Sequence, residues 1–121
     1  MMDPKDWKAG LILNLTEFAS SEYQDRVWRR GKGPEESSFE EAYEFFFDLY
    51  MPGEDFPHYR EALGFDDHQA NSLIGLGNLL REFGTTVSDL PSPGEVLDNP
   101  GWSNVRETAR RVLDTLKEPR E

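Results

Sequence analysis

Residues 66–84 decide the fold class, and they read DDHQANSLIGLGNLLREFG. Asp66 and Gln69 have the spacing of a capping box, in which two side chains satisfy backbone N–H groups at the start of a helix. The apolar residues that follow recur at the helical period: Ala70, Leu73, Ile74, Leu76, Leu80 and Phe83. Gly84 supplies the stop signal. The stretch therefore predicts a capped amphipathic helix.

Two glycines interrupt this predicted helix. Gly75 and Gly77 both lie in its interior, where glycine lowers helix stability. A glycine kept at such a position usually has a packing or functional reason. We expect close helix packing to explain both residues.

Helical signals continue outward in both directions. Asp3 with Pro4 opens a helix that should run to about Ala19, and Ser38 with Glu41 forms a capping box for a helix from Phe39 to about Tyr50. Asn99-Pro100 opens a last helix that Pro119 ends. Shorter helical turns are predicted after a Ser21–Gln24 capping pair, over Phe56–Leu63, which Gly64 ends, and over Pro93–Leu97. No convincing strand is present, so we predict an all-α fold: a single domain, residues 1–121, of four main helices plus one or two short ones.

The helix after Ser38 carries three consecutive phenylalanines, Phe45, Phe46 and Phe47. Three successive residues cannot share one narrow helix stripe. Either this helix is central and buried on two sides, which we favour, or one phenylalanine is exposed for a partner.

Composition restricts the functional classes. The formal charge is −11, which disfavours binding to nucleic acid or anionic lipid and favours a basic protein partner. The chain contains no Cys, which excludes disulfides and thiol chemistry and fits a reducing compartment. The N-terminus has neither a basic segment nor a long apolar segment, so we expect no signal peptide, no membrane span and a cytoplasmic location.

Four acidic residues at helical spacing are the most informative functional feature: Glu36, Glu40, Glu44 and Asp48. Like charges four residues apart weakly destabilise a helix, so such a row needs a reason. It can be a solvated face, it can be neutralised within the chain, or it can dock a basic partner. Because Glu36 precedes the Ser38 cap, only the other three are secure members of the row. Tyr43 and Phe47 are the aromatic candidates beside it.

A basic run precedes the acidic segment and contains Arg26, Arg29, Arg30 and Lys32. Trp28 lies beside it and would suit base stacking. Between Gly33 and Tyr59, however, there are eight acidic residues and no Lys or Arg. We therefore expect the basic run to neutralise the acidic segment in cis and not to bind nucleic acid.

The sequence offers little to a catalytic interpretation. His58 and His68 lie near Asp55, Asp66 and Asp67, so a metal site of two histidines and a carboxylate is conceivable. The spacing matches no known helical metal motif, and no nucleophile elbow or phosphate loop is present. We expect no catalytic residues, no metal site and no cofactor.

Three motifs together resemble a family of small, acidic, functionally uncharacterised bacterial proteins. The first is Tyr23-Gln24-Asp25-Arg26-Val27-Trp28, the second Asp48-Leu49-Tyr50, and the third Asp98-Asn99-Pro100-Gly101-Trp102. The family pattern is Tyr-Gln-x-Arg-Val-Trp, an acidic aromatic helix, and Asp-Pro-x-Trp before a final helix. Asn99 stands where the family usually has Asp. Some similar acidic proteins are associated with immunity proteins of bacterial toxin systems, and the resemblance supplies no catalytic residues.

The sequence thus predicts a cytoplasmic, non-catalytic helical binding protein. Its most concrete form is an immunity protein that neutralises a toxin, for instance a nuclease, by occlusion. The predicted partner-binding residues are Glu36, Glu40, Glu44, Asp48, Tyr43 and Phe47. The main alternative is a homo-oligomeric structural or regulatory protein whose phenylalanine-rich helix packs across a two-fold axis, so monomer and homodimer both stay open. An enzyme or metal-binding protein that uses His58 or His68 is the third class.

Overall fold

The structure is a computed structural model, and it describes residues 3–34, 37–50, 56–89 and 91–117, without the side chains of residues 49 and 50. Seven helices, α1 to α7, cover most of these residues, and no strand is found among them, which confirms the all-α prediction. Their bounds are Pro4–Ala19 (α1), Ser21–Tyr23 continuing as Gln24–Arg29 (α2), Phe39–Phe45 continuing as Phe46–Tyr50 (α3), Phe56–Leu63 (α4), Asp67–Gly84 (α5), Pro93–Leu97 (α6) and Trp102–Lys117 (α7). The continuations of α2 and α3 have the wider i→i+5 hydrogen-bond pattern of a π-helix.

The predicted caps fix most of the helix ends. Asp3 accepts a hydrogen bond from the backbone N–H of Lys5 and opens α1. Asp66 and Gln69 form the reciprocal capping box of α5. Gly64 has a φ of +68° just after α4, the left-handed conformation that glycine adopts without penalty. Local sequence signals are therefore sufficient to place these boundaries.

Two predicted boundaries are wrong. The cap of α2 is Ser20, whose hydroxyl accepts from the backbone N–H of Tyr23, and not the Ser21–Gln24 pair. α7 begins at Trp102, because Asn99 caps a turn through Gly101 before the helix starts. Pro119, predicted to end α7, lies outside the described residues.

One continuous apolar core joins the helices. α1 packs along α7, α7 packs on α5, and α3 and α4 pack on α1. Trp102 is fully buried, and its ring lies 5.1–6.2 Å from the rings of Phe18, Trp28, Phe39 and Phe83. At the other end of α1, Trp7 stacks on Tyr59 with 4.6 Å between ring centroids. Aromatic area thus supplies much of the burial in this polar sequence.

A buried glutamine connects the two tryptophan motifs. The Gln24 side chain is 1% exposed; its Nε2 donates to the carbonyls of Glu17 and Phe18, and its Oε1 accepts from Trp102 Nε1. The indole of Trp28 donates to Glu17 and to Ser37 Oγ. These residues therefore hold the end of α1, the start of α2 and the start of α7 together.

The α3 helix lies at the surface, which corrects the preference for a central helix. Its buried stripe consists of Phe39, Ala42 and Phe46, whereas Phe45 is 56% exposed. Asn14 of α1 donates to the carbonyl of Ala42 on the buried side. One phenylalanine is thus exposed, as the alternative interpretation required.

Close helix packing was expected to explain both glycines inside α5, but the two residues have different surroundings. Gly77 is buried, but a Cβ placed on Gly75 would meet nothing within 4 Å. Close packing within the chain therefore does not explain Gly75.

No helix among those described combines the length and apolar character that a membrane span requires.

Candidate partner-binding surface

The start of α3 sets the orientation of its acidic residues. Ser38 accepts a hydrogen bond from the backbone N–H of Glu41, which begins the helix and directs the buried stripe toward the core. The opposite side of the helix carries the exposed carboxylates of the predicted row, Glu40, Glu44 and Asp48, with exposed Glu41 beside them. Glu36, the first predicted member of the row, lies outside the described residues.

The three carboxylates of the row make no ion pair among the described residues. Within the described part of the chain, no ion pair involves Glu40, Glu44 or Asp48. Glu40 lies in the first helical turn, where a negative charge interacts favourably with the helix dipole. That local benefit does not extend to Glu44, because the dipole effect falls off within the first turn. The repulsion within the row is therefore not relieved by ion pairing inside the described structure.

The three arginines of the basic run pair with carboxylates outside α3, so among the described residues they do not neutralise the α3 carboxylates as expected. The rest of the acidic segment, Glu35, Glu36, Glu54 and Asp55, lies outside the described residues, and there the expectation stays a prediction. Arg26 contacts Glu22 at 2.9 Å, and Arg30 contacts Asp25 at 2.8 Å. Arg29 contacts Asp98, far along the chain, at 2.7 Å. Arg29 also contacts Asp25 at 3.4 Å, so each of the three arginines has a carboxylate four or five residues before it, closer in sequence than α3.

The Arg29–Asp98 pair changes the proton affinity of both groups. The hydrogen bond to Asp98 and its negative charge raise the pKa of Arg29. The same hydrogen bond and the positive charge of Arg29 lower the pKa of Asp98. Because both side chains are exposed, the pair contributes little to stability.

A cleft of about 400 Å³ lies beside the acidic face, between α3 and the end of α5. Glu40, Tyr43 and Glu44 line it on the α3 side. Arg81 and Asp89 line it on the side of α5 and of the loop that follows. With three carboxylates and one guanidinium, the charged groups of the lining sum to −2. The structure thus brings three of the predicted residues together at one concave site.

The two predicted aromatic residues have different surroundings. Tyr43 is half-buried, and its hydroxyl lies 3.2 Å from the position that a Cβ on Gly84 would take. Phe47 lies 4.7 Å from the Tyr43 ring and carries the Arg81 guanidinium 5.1 Å from its own centroid. Tyr43 therefore forms part of the cleft wall, whereas Phe47 lies under Arg81 next to the cleft.

The outer wall of the cleft is held by a carboxylate from α6. Glu95 accepts hydrogen bonds from the backbone N–H of Ser88 at 2.8 Å and from its hydroxyl at 2.9 Å. These hydrogen bonds, with that from Ser88 N–H largest, lower the pKa of Glu95. Asp89 follows Ser88 directly, so Glu95 positions the stretch of loop that carries this charge.

Sequence reasoning missed Arg81 and Asp89, which line the cleft, and Glu95, which holds the adjoining loop, because all three lie far from α3 in sequence. A partial signal existed, since Ser92 and Glu95 have capping-box spacing. Ser92 does accept from the Glu95 backbone N–H at 3.2 Å. The Glu95 side chain, however, bonds Ser88 instead of completing the box.

The histidines are exposed and lie on different helices, His58 on α4 and His68 on α5. Among the residues that the structure describes, no three or more His, Asp or Glu side chains are grouped so that they could hold a metal ion.

No protein-family model, curated protein or solved structure matches this chain. The resemblance to the family of acidic bacterial proteins therefore stays a prediction.

Proposed function

We propose that this chain is a non-catalytic binding protein that receives a basic protein surface on the exposed carboxylates of α3 and the adjoining cleft. The observation that carries the proposal is that Glu40, Glu44 and Asp48 are exposed together and make no ion pair in the described structure. A partner's lysines and arginines would relieve the repulsion that the free chain leaves in place.

The geometry of the cleft supports a specific contact. A lysine or arginine side chain of the partner would reach between Glu40 and Glu44 on one side and Asp89 on the other. The Tyr43 ring would cover its aliphatic part, and its face would attract the cationic group. Tyr43 is half-buried before binding, so it would lose little side-chain entropy and suits a hot spot.

The most concrete form of the proposal is an immunity protein that neutralises a toxin, for instance a nuclease, by occlusion. A row of carboxylates can occupy the positions where nucleic-acid phosphates would bind on such an enzyme. The net charge of −11 would speed the encounter with a basic toxin, since complementary charge raises association rates. The cysteine-free sequence is compatible with a reducing cytoplasm, the location we propose.

A charge-reversal pair tests the proposal. Wild-type protein, Glu44→Lys and Glu61→Lys serve as baits for a lysate of the native host, and retained proteins are identified by mass spectrometry at low and at raised salt. Glu44 and Glu61 are both exposed, and each substitution changes the net charge by the same amount. Glu44 is preferred over Glu40 because reversal of Glu40 would also oppose the helix dipole.

We expect one basic protein that wild type and Glu61→Lys retain at low salt and Glu44→Lys does not. With the purified partner, Glu44→Lys should slow association about tenfold and weaken its salt dependence. If the partner is a nuclease, an equimolar amount of this protein should abolish its cleavage of nucleic acid. Equal association rates for the two variants would remove α3 from the interface, and recovery of the baits alone would argue against a partner in that lysate.

A further inference from the structure

A second concave surface lies between α5 and α7. Its volume is about 740 Å³, larger than the cleft beside α3, and the two share no lining residue. On the α5 side the lining runs along one face of the helix, in the order His68, Ser72, Gly75, Leu79 and Glu82. The spacing of these residues alternates between four and three, which is the spacing of a seam along which one helix packs on another.

Gly75 lies at the centre of this seam, and no contact among the described residues explains it. It does not need a positive φ, since the described glycines with positive φ are Gly31, Gly33 and Gly64. It is not needed for internal packing, since a Cβ there would meet nothing within 4 Å. A glycine inside a helix costs about 1 kcal/mol relative to alanine. A surface glycine of this kind lets another backbone approach closely.

We propose that the α5 helix of a second copy of this chain docks antiparallel in this groove, with the two-fold axis at Gly75. A two-fold axis there brings each residue n positions before Gly75 opposite the residue n positions after it. His68 of one copy then faces Glu82 of the other, and Ser72 faces Asn78, which also lines the groove. Each of these pairs forms twice.

The groove carries less net negative charge than the acidic chain as a whole, so it opposes the approach of a second copy less. The charged side chains of its lining are Glu82 on α5 and Arg111 and Asp114 on α7, with His68 as a further hydrogen-bonding partner. Two carboxylates and one guanidinium sum to −1, against −11 for the whole chain. Two such faces therefore approach with little repulsion, and salt should strengthen the dimer by screening the remaining charge.

The lining also indicates the strength of the association. Its apolar members are Leu79 and Val112, with Ile74 exposed beside them. A surface with so few apolar residues forms a weak, reversible dimer and not an obligate one. Phe46 is fully buried, so a two-fold contact through all three phenylalanines of α3 is not available to the folded chain.

Sedimentation equilibrium of the full chain, up to millimolar concentration and at two salt concentrations, tests this proposal. Wild type should show a monomer–dimer equilibrium that shifts toward dimer as salt rises. Gly75→Leu should be monomeric, because its side chain fills the point of closest approach. Its fold should be retained, since the space is open and leucine favours helix over glycine. Leu13→Ser, which changes a 73% exposed leucine on α1, is the control and should dimerise like wild type.

A charge exchange tests the antiparallel register. His68→Glu places two carboxylates opposite each other at both ends of the interface and should weaken the dimer about tenfold. Adding Glu82→Lys in the same chain should restore it. A monomeric wild type, a Gly75→Leu variant that dimerises like wild type, or a failure of the exchange to restore association would each overturn the proposal. At the higher salt concentration, where long-range repulsion is screened, Glu44→Lys should dimerise like wild type, so the outcome is independent of the proposed partner on α3.

Discussion

Gln24 shows how one side chain can determine the arrangement of three helices. Its side-chain amide donates to the carbonyls of Glu17 and Phe18 near the end of α1, and its carbonyl oxygen accepts from the Trp102 indole. The Gln24 side chain is only 1% exposed. Leaving a buried polar group without a partner costs about 1–3 kcal/mol. We expect Gln24→Ala to lower the free energy of unfolding by about 3 kcal/mol, measured by urea titration. Asn104→Ala, at an exposed position on α7, is the control and should change it little.

The size of this stability loss separates a structural from a functional interpretation of the Tyr-Gln-x-Arg-Val-Trp motif. If Gln24→Ala unfolds at lower urea concentration than the control, the motif residue supports the fold. A stable Gln24→Ala variant would instead leave the motif to be explained by function.

Glu95 carries the pH dependence at the residue scale. Its folded-state pKa is lowered by the hydrogen bonds from Ser88, below the value of about 4.3 for a free glutamate. A lowered carboxyl pKa stabilises the fold above the unfolded pKa, and this contribution disappears as the pH falls through the folded pKa. Wild type should therefore be more stable than Glu95→Gln at neutral pH, and the difference should shrink below about pH 4. Urea titrations at both pH values measure it, and a difference that does not depend on pH would contradict the role of the carboxylate.

At the scale of elements, alanine substitutions at the two glycines of α5 should change the free energy of unfolding in opposite directions. Gly75→Ala should raise the free energy of unfolding by about 0.5–1 kcal/mol, because the new methyl group enters open space. Gly77→Ala should lower it, because Gly77 is buried and adding a methyl group to a packed core is destabilising. Thermal unfolding at low micromolar concentration, where the proposed dimer is dissociated, measures both. Equal effects of the two substitutions would contradict the contrast between them.

The elements also show which features the sequence can predict and why others escape it. Asp3, Ser38, Asp66 and Gly64 act within a few residues of the helix ends they define, so local signals located those ends. The surroundings of Gly75, the partner of Arg29 and the position of Asp89 depend instead on residues far along the chain. Helical periodicity predicted the exposure of the α3 carboxylates, but it did not predict the cleft beside them, which needs residues from α5 and the following loop.

At the scale of the whole molecule, the balance between repulsion and ion pairing determines how stability responds to salt. A net charge of −11 on a chain of this size produces self-repulsion that opposes the compact state. The ion pairs of the described residues are exposed at least in part, and exposed pairs contribute only about 0–1 kcal/mol each. Between about 0.01 and 0.1 M salt the Debye length falls from about 30 to about 10 Å, which screens the long-range repulsion first.

We therefore expect the melting temperature to rise by a few °C as NaCl is increased over that range, where 1 kcal/mol corresponds to about 4 °C. Differential scanning calorimetry at one low protein concentration measures the rise. Glu40→Gln combined with Glu44→Gln removes two of the negative charges and should reduce the gain. Asn71→Ala, an uncharged change at an exposed position, should not. A melting temperature that falls with salt would mean that attraction within the folded chain outweighs repulsion, and the unpaired α3 carboxylates would then no longer be a source of strain for a basic partner to relieve.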